Sequence, residues 1–200
     1  VLTIGFARRA ATYKRAHLIF HDMEKLLDIG QGNLQIIFSG KAHPKDMGGK
    51  SIIRNIVQSA KRFDGKIKII YLENYDMWLG RLITSGVDLW LNTPQRPNEA
   101  SGTSGMKAAL NGIPNFSILD GWWAEGCNEG KNGWAIGSQE VGSDEKDSRD
   151  LYKKLKNEII TTFYDDRDGW VTMMKESIKT SVQFTSQRMV SQYHEMYYKV

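Results

Sequence analysis

Val87-Asp-Leu-Trp-Leu91, Glu99-Ala-Ser-Gly-Thr-Ser-Gly-Met-Lys107 and Asn115-Phe-Ser-Ile-Leu119 together decide how this chain folds. Two short apolar runs flank a Gly/Ser loop that leads into a helical pattern over 104–111, the strand–loop–helix–strand order of a parallel unit. Small residues let a backbone approach a ligand closely, and free N–H groups at a helix start favour anions. A lysine among apolar neighbours loses solvation, which lowers its pKa and makes its amine a nucleophile toward aldehydes. The loop therefore reads as a phosphate cradle beside a candidate Schiff-base lysine, Lys107. A plain Gly/Ser loop ending in a solvated lysine accounts for the same spacing, so the motif alone leaves both readings open.

The same alternation continues on both sides of this unit. Strands are expected at 2–6, 34–38, 67–72, 87–91 and 115–119, with a weaker one near 134–136. Helices are expected at 14–27, roughly 50–63, 77–85 and 104–111. Strands this short and apolar throughout predict a parallel sheet covered by helices on both faces. From residue 143 the chain turns to charged amphipathic segments at 147–164, 168–179 and 182–198. The expectation is an α/β chain: a doubly wound, Rossmann-like parallel sheet over residues 1–140, with C-terminal helices over residues 141–200 packing on it. In such sheets ligands bind past the carboxyl ends of the strands. There lie Ala7-Arg-Arg9, Ser39-Gly-Lys41, Glu73-Asn-Tyr75, Asn92-Thr-Pro94 and Asp120-Gly-Trp-Trp123.

Two hundred residues can bury a core of their own. No apolar run approaches the ~18–20 residues of a membrane span, and no secretory signal opens the chain. The single cysteine, Cys127, excludes an internal disulfide, so nothing requires an oxidising compartment and a cytoplasmic setting is expected. Opening directly on a strand at Val1, the sequence reads as a piece of a longer polypeptide. The net charge of +4 includes a cluster at Arg8, Arg9, Lys14 and Arg15. With no aromatic-interleaved binding motif in the sequence, that cluster suits a small phosphate-bearing ligand better than nucleic acid.

The nonapeptide ending at Lys107 resembles the cofactor segment of the α-glucan (glycogen, starch and maltodextrin) phosphorylases, Glu-Ala-Ser-Gly-Thr-Gly-Asn-Met-Lys. Ser104 and Gly105 replace the Gly-Asn pair, and the other seven positions match. Leu110-Asn-Gly112 matches downstream. Arg9 and Tyr13-Lys14-Arg15 fit the family's Lys-Arg-x-x-x-Tyr-Lys-Arg block, with Arg8 standing for its first lysine. Gly40-Lys41-Ala42 with Pro44, and Leu72-Glu-Asn-Tyr75, resemble two further blocks. The resemblance covers residues 5 to about 137, and the tail beyond 140 resembles nothing sharply.

The resemblance implies the C-terminal half of a GT-B type glycosyltransferase that cleaves α-1,4-glucan with inorganic phosphate to give glucose 1-phosphate. Lys107 would carry pyridoxal 5'-phosphate, whose phosphate would exchange a proton with substrate phosphate. Arg8 would sit near the cofactor phosphate. Thr103 and the N–H groups of Ser104 and Gly105 would cradle it, and Tyr75 would line the cofactor's side. Arg9 and Lys14 would hold substrate phosphate, which makes Arg9, Lys14 and Lys107 the implied catalytic residues. Glu99, Ser101 and Gly102 would bond the glucose hydroxyls. The N-terminal domain of the same polypeptide would supply glucan contacts, so weak or absent turnover is expected of these residues alone. The family's terminal helices pack on this half and cross to the other. Tyr193, Tyr197 and Tyr198 suit that role, or plain core cover. The chain departs from the family at Gly105, and at Asp76 where an arginine usually follows the tyrosine.

A sugar-nucleotide-dependent glucan synthase of the same architecture is the alternative. Retaining enzymes of that kind often carry two glutamates eight positions apart, and the position eight after Glu99 is Lys107. A carbohydrate-binding module without catalysis would keep Glu99 and the tryptophans useful and make Lys107 structural. His17 and His21 lie four apart on the expected helix, but no third ligand is evident and no metal is expected. His43 reads equally as a cleft-edge contact or a turn histidine. The Trp122–Trp123 pair fits core packing better than sugar stacking.

Overall fold

The alternating apolar runs become a six-stranded, all-parallel sheet in the computed structural model, which describes residues 1–199. The strands are β1 (Leu2–Ala7), β2 (Leu34–Ser39), β3 (Lys68–Leu72), β4 (Leu89–Asn92), β5 (Asn115–Ile118) and β6 (Gly133–Ile136). Their spatial order is β3-β2-β1-β4-β5-β6. The chain thus winds outward from β1 in both directions, and β1 and β4 flank the switch point where ligands bind in doubly wound sheets.

The helices are α1 (Met23–Gly30), α2 (Met47–Arg62), α3 (Met77–Gly86), α4 (Thr103–Leu110), α5 (Trp122–Gly126), α6 (Asp144–Lys154), α7 (Ile160–Asp165), α8 (Arg167–Ser181) and α9 (Ser186–Tyr193). A larger core on one side of the sheet packs Phe6, Phe20, Phe38 and Phe63 with the tilted Trp134–Trp170 pair, ring centroids 5.9 Å apart. A smaller cluster gathers Trp90, Ala108 and Ile113 with Ile83 and Val87. Among the described residues no helix is long and apolar enough to cross a membrane.

Three expectations need correcting. The helix expected at 14–27 is broken into two 3-10 turns, Thr12–Lys14 and Leu18–Phe20, before α1 begins at Met23. The cause is Arg15, whose left-handed backbone (φ 45°, ψ 43°) no helix tolerates. With that break His17 and His21 leave the common helix face assumed for them. Among the described residues no three His, Cys, Asp or Glu side chains are grouped to hold a metal. Second, β3 is not covered on both faces but is a half-exposed edge strand, with Lys68 exposed on it. Third, Tyr193, Tyr197 and Tyr198 are 50%, 68% and 73% exposed, so they do not cover this core. Trp122 and Trp123 are buried, as core packing requires.

Side-chain caps set most helix starts. Asp22, Asp46 and Asp76 accept bonds from the backbone N–H groups of Lys25, Gly49 and Leu79, and Ser143, Asp166 and Thr185 do the same for α6, α8 and α9. Asp76 therefore has a local role: it caps α3 from an exposed position, with its Oδ1 2.8 Å from Leu79 N. The helix α4 differs. It opens on Gly102, in a left-handed conformation (φ 85°) open to glycine at no steric cost, and no side chain caps it.

Candidate active site

Arg8 and Arg9 follow β1, Asn92 ends β4, and the Gly/Ser loop delivers Glu99 to α4, so all four meet at the β1/β4 switch point. A cavity of about 440 Å³ opens there, walled by Arg8, Arg9, Lys14, Glu99, Thr103 and Lys107, with Tyr75, Ser101, Gly102 and Ser104 also on its lining. Ten of the eleven residues singled out in the sequence line this one space. The eleventh, Gly105, lies one residue deeper in α4.

Glu99 is the electrostatic centre. Its Oε2 accepts from Lys14 Nζ at 2.5 Å and from Arg8 NH2 at 2.7 Å, with all three side chains at least nine-tenths buried. Its backbone N–H donates to Asp120 Oδ2 at 2.9 Å, and Arg8 NH1 donates to Asn92 Oδ1. Burial alone would raise the Glu99 pKa, but Arg8 and Lys14 together hold it below the usual carboxylate range. Burial lowers the Arg8 pKa against the opposing pull of Glu99. Asn92 and Asp120 carried no assigned role in the sequence. Their signal was position alone, at or just past the ends of β4 and β5.

Two cations against one carboxylate leave a local excess of positive charge, and Arg9 adds an exposed guanidinium on the same wall. The uncapped start of α4 points its N–H groups and dipole the same way. Ser104 Oγ and Arg8 Nε are shut from solvent without a hydrogen-bond partner among the described residues. This donor set is built for an anion. Lys107 stands exposed on α4 and makes no ion pair among the described residues, so it is not set among apolar groups by this chain. It lies on the wall shared with a second cavity of about 610 Å³, lined by Tyr75, Met77, Gly80 and Leu110 among others. Burial pushes the Tyr75 phenol pKa up against the pull of Arg8.

A family profile for the carbohydrate phosphorylases matches residues 6–131 of the chain, which takes in every residue of this site. The chain belongs to the carbohydrate phosphorylase family. It is 50% identical to a maltodextrin phosphorylase of Thermococcus litoralis over 98% of its own length, and 48% identical to a glycogen phosphorylase of Aquifex aeolicus over 99%. A glycogen phosphorylase of Mycobacterium tuberculosis is 45% identical over 99% of the chain. These relatives are longer, and the chain spans only 25%, 30% and 24% of their respective lengths. The likeness runs through the tail, which sequence motifs alone had left unassigned. Phosphorylase membership also implies a cofactor role for the site.

Two positions that looked anomalous for a phosphorylase have local explanations. Asp76 is the α3 cap described above. At Gly105 a Cβ would stand 2.5 Å from Asn115 Oδ1 and 2.8 Å from Trp122 Nε1, so any side chain there forces Asn115 and Trp122 to shift. Asn115 fills that space and donates from Nδ2 to Gly105 O at 3.1 Å. Gly105→Asn, which restores the residue of the family motif, is therefore expected to destabilise the protein by about 1–3 kcal/mol through overpacking. A denaturant titration checks it, and an unchanged midpoint would contradict the packing. His43 does not line the cavity; its Nδ1 accepts from Lys45 N at 3.2 Å, as a turn histidine. Cys127 has its thiol pKa pushed up to about 12 by burial, with Glu129 adding to it, and is unreactive at neutral pH.

Proposed function

We propose that this chain is part of the cofactor-binding half of an α-glucan phosphorylase. The reaction joins inorganic phosphate to the anomeric carbon of a terminal glucose, breaks the α-1,4 bond to the next sugar, and returns a proton to the leaving oxygen, giving glucose 1-phosphate. One observation carries the reading: Arg9, Lys14, Ser104 and Lys107 share one cavity at the uncapped start of α4.

The residues present fit pyridoxal 5'-phosphate. Among the described residues Ser104 Oγ and Arg8 Nε are buried donors without partners, α4 opens without a cap, and the Lys107 amine, between two cavities, makes no ion pair. Lys107 would hold the cofactor, with Thr103, Ser104 and the Gly105 N–H on its phosphate and Tyr75 beside it. When bound, the cofactor supplies a phosphate monoester whose second pKa, near ~6, suits proton exchange close to neutral pH. Arg9 would bind substrate phosphate through its guanidinium fork, and Lys14 would add a point charge already oriented by Glu99. Glu99 retains Oε1 outside its two ion pairs, free to accept from a glucose hydroxyl beside Ser101 and Gly102. The tail helix α9, unused by this core, would meet the remainder of the polypeptide, and the domain split at residue 140 is proposed on the same basis. A cytoplasmic setting is part of this proposal.

The test is phosphorolysis of maltodextrin by the full-length protein, read as glucose 1-phosphate. Arg9→Ala is expected to lower kcat/KM for phosphate by about 10²–10⁴-fold, the loss of two charge-assisted bonds of about 1.5–3 kcal/mol each. Because Arg9 is exposed, folding should be unaffected. No phosphorolysis by the wild-type protein, or an unchanged dependence on phosphate in the variant, would contradict the proposal.

A further inference from the structure

Asp147 lies outside the residues matched by the family profile and does not line the cavity, yet it is 1% exposed and doubly paired. Its Oδ2 accepts from Arg15 NH2 at 2.7 Å and its Oδ1 from Arg96 NH2 at 2.8 Å. Both arginines are buried and grip backbone. Arg15 donates from Nε to Thr93 O at 3.1 Å and from NH2 to Pro94 O at 3.0 Å, and Arg96 donates from Nε to Glu140 O at 2.8 Å. Between the same segments, Gln95 N donates to Tyr13 O at 2.6 Å, and Thr93 Oγ1 reaches Lys14 O at 3.1 Å. The turn carrying Lys14 is thus clipped to the loop that leads into Glu99, and Asp147 closes the clip from α6.

The left-handed backbone of Arg15 gives the clip its purpose. A non-glycine residue holds that conformation only where its surroundings over-determine it. Here it sends two consecutive side chains apart, Lys14 to the cavity and Arg15 to Asp147. A buried ion network is weak evidence for stability, since apolar packing serves as well. What it specifies is geometry.

We infer that Asp147 is a positioning residue that, through Arg15 and Arg96, holds Lys14 in register with Glu99 at the phosphate-binding cavity. Its kinetic consequence rests on the phosphorolysis proposed above; its geometric consequence does not. Asp144 also meets Arg15, at 2.7 Å, but its side chain is 49% exposed, so it is the natural control.

The experiment uses the full-length protein and Asp147→Asn, whose Nδ2 would face one of the two guanidinium groups. Displacing a binding group by about 1 Å costs on the order of 10²-fold, so KM for inorganic phosphate should rise roughly tenfold to a hundredfold. Cofactor content should stay within about twofold, and KM for maltodextrin should rise less than KM for phosphate, since Glu99 keeps its backbone bond to Asp120. The Gln95 amide should lose hydrogen-exchange protection while amides of β1 and β4 keep theirs, and Asp144→Asn should leave both readouts unchanged. Retained protection at Gln95, or equal losses toward phosphate and maltodextrin, would overturn the inference. If the wild-type protein lacks phosphorolysis the functional proposal fails, and protection at Gln95 alone decides the positioning role. Should Asp147→Asn not fold, Arg96→Lys must show the same selective pattern or the inference falls.

Discussion

Lys107→Ala in the full-length protein is expected to abolish cofactor retention and to reduce phosphorolysis by at least about 10²–10⁴-fold, the share that positioned proton transfer typically contributes. The fold should not suffer. Lys107 is exposed on α4, has no ion pair among the described residues, and gives way to the best helix former. Stability of the cofactor-free variant should therefore match that of cofactor-free wild type within about 0.5 kcal/mol. Comparing cofactor-free forms matters, because a bound cofactor stabilises the folded state by mass action. A variant that keeps both cofactor and turnover would remove Lys107 from the site.

Glu99→Gln should show the largest effect on stability. Glu99 is 8% exposed and is the carboxylate to which both Arg8 and Lys14 bond. Removing its charge leaves two buried cations without their counter-charge, and breaking a buried pair costs about 3–5 kcal/mol. The pH dependence has a definite sign. The folded-state pKa of Glu99 lies below its ordinary value of 4.5, because Arg8 and Lys14 outweigh the effect of burial. Its contribution is complete above 4.5 and is lost as pH falls through the folded-state pKa. Denaturant titrations should show wild type and variant differing most near neutral pH and converging in acid. A gap that does not change between neutral pH and strong acid would show that the charge of Glu99 is not what holds Arg8 and Lys14.

The strands could be read from sequence because each is a short apolar run with a turn at its end. β1, β2 and β6 fall within a residue or two of their expected places, while β4 starts two residues late, at Leu89. The exposed face of β3 was foreshadowed by Lys68, but an apolar run says nothing about which strand ends at an edge. Nor could periodicity reveal the break at Arg15. The left-handed bend there is imposed by Thr93, Pro94 and Asp147, between 78 and 132 residues away. The five-residue helix α5 is too short to leave a periodic pattern.

The site was legible as a set of residues but not as a set of contacts. Arg8 and Lys14 meet Glu99 across 91 and 85 residues of chain, and no spacing rule links them. The reading of Lys107 as desolvated followed from its apolar sequence neighbours, yet Ala108 and Ala109 face the core while Lys107, like Leu110, faces out.

In the proposed function α4 presents Lys107 to a phosphate-bearing aldehyde cofactor. Incubating the full-length protein with pyridoxal 5'-phosphate, reducing with borohydride and mapping peptides by mass spectrometry tests it most directly. A single adduct on Lys107, absent from Lys107→Ala, is the predicted result. An adduct on another lysine, or none, would contradict the claim.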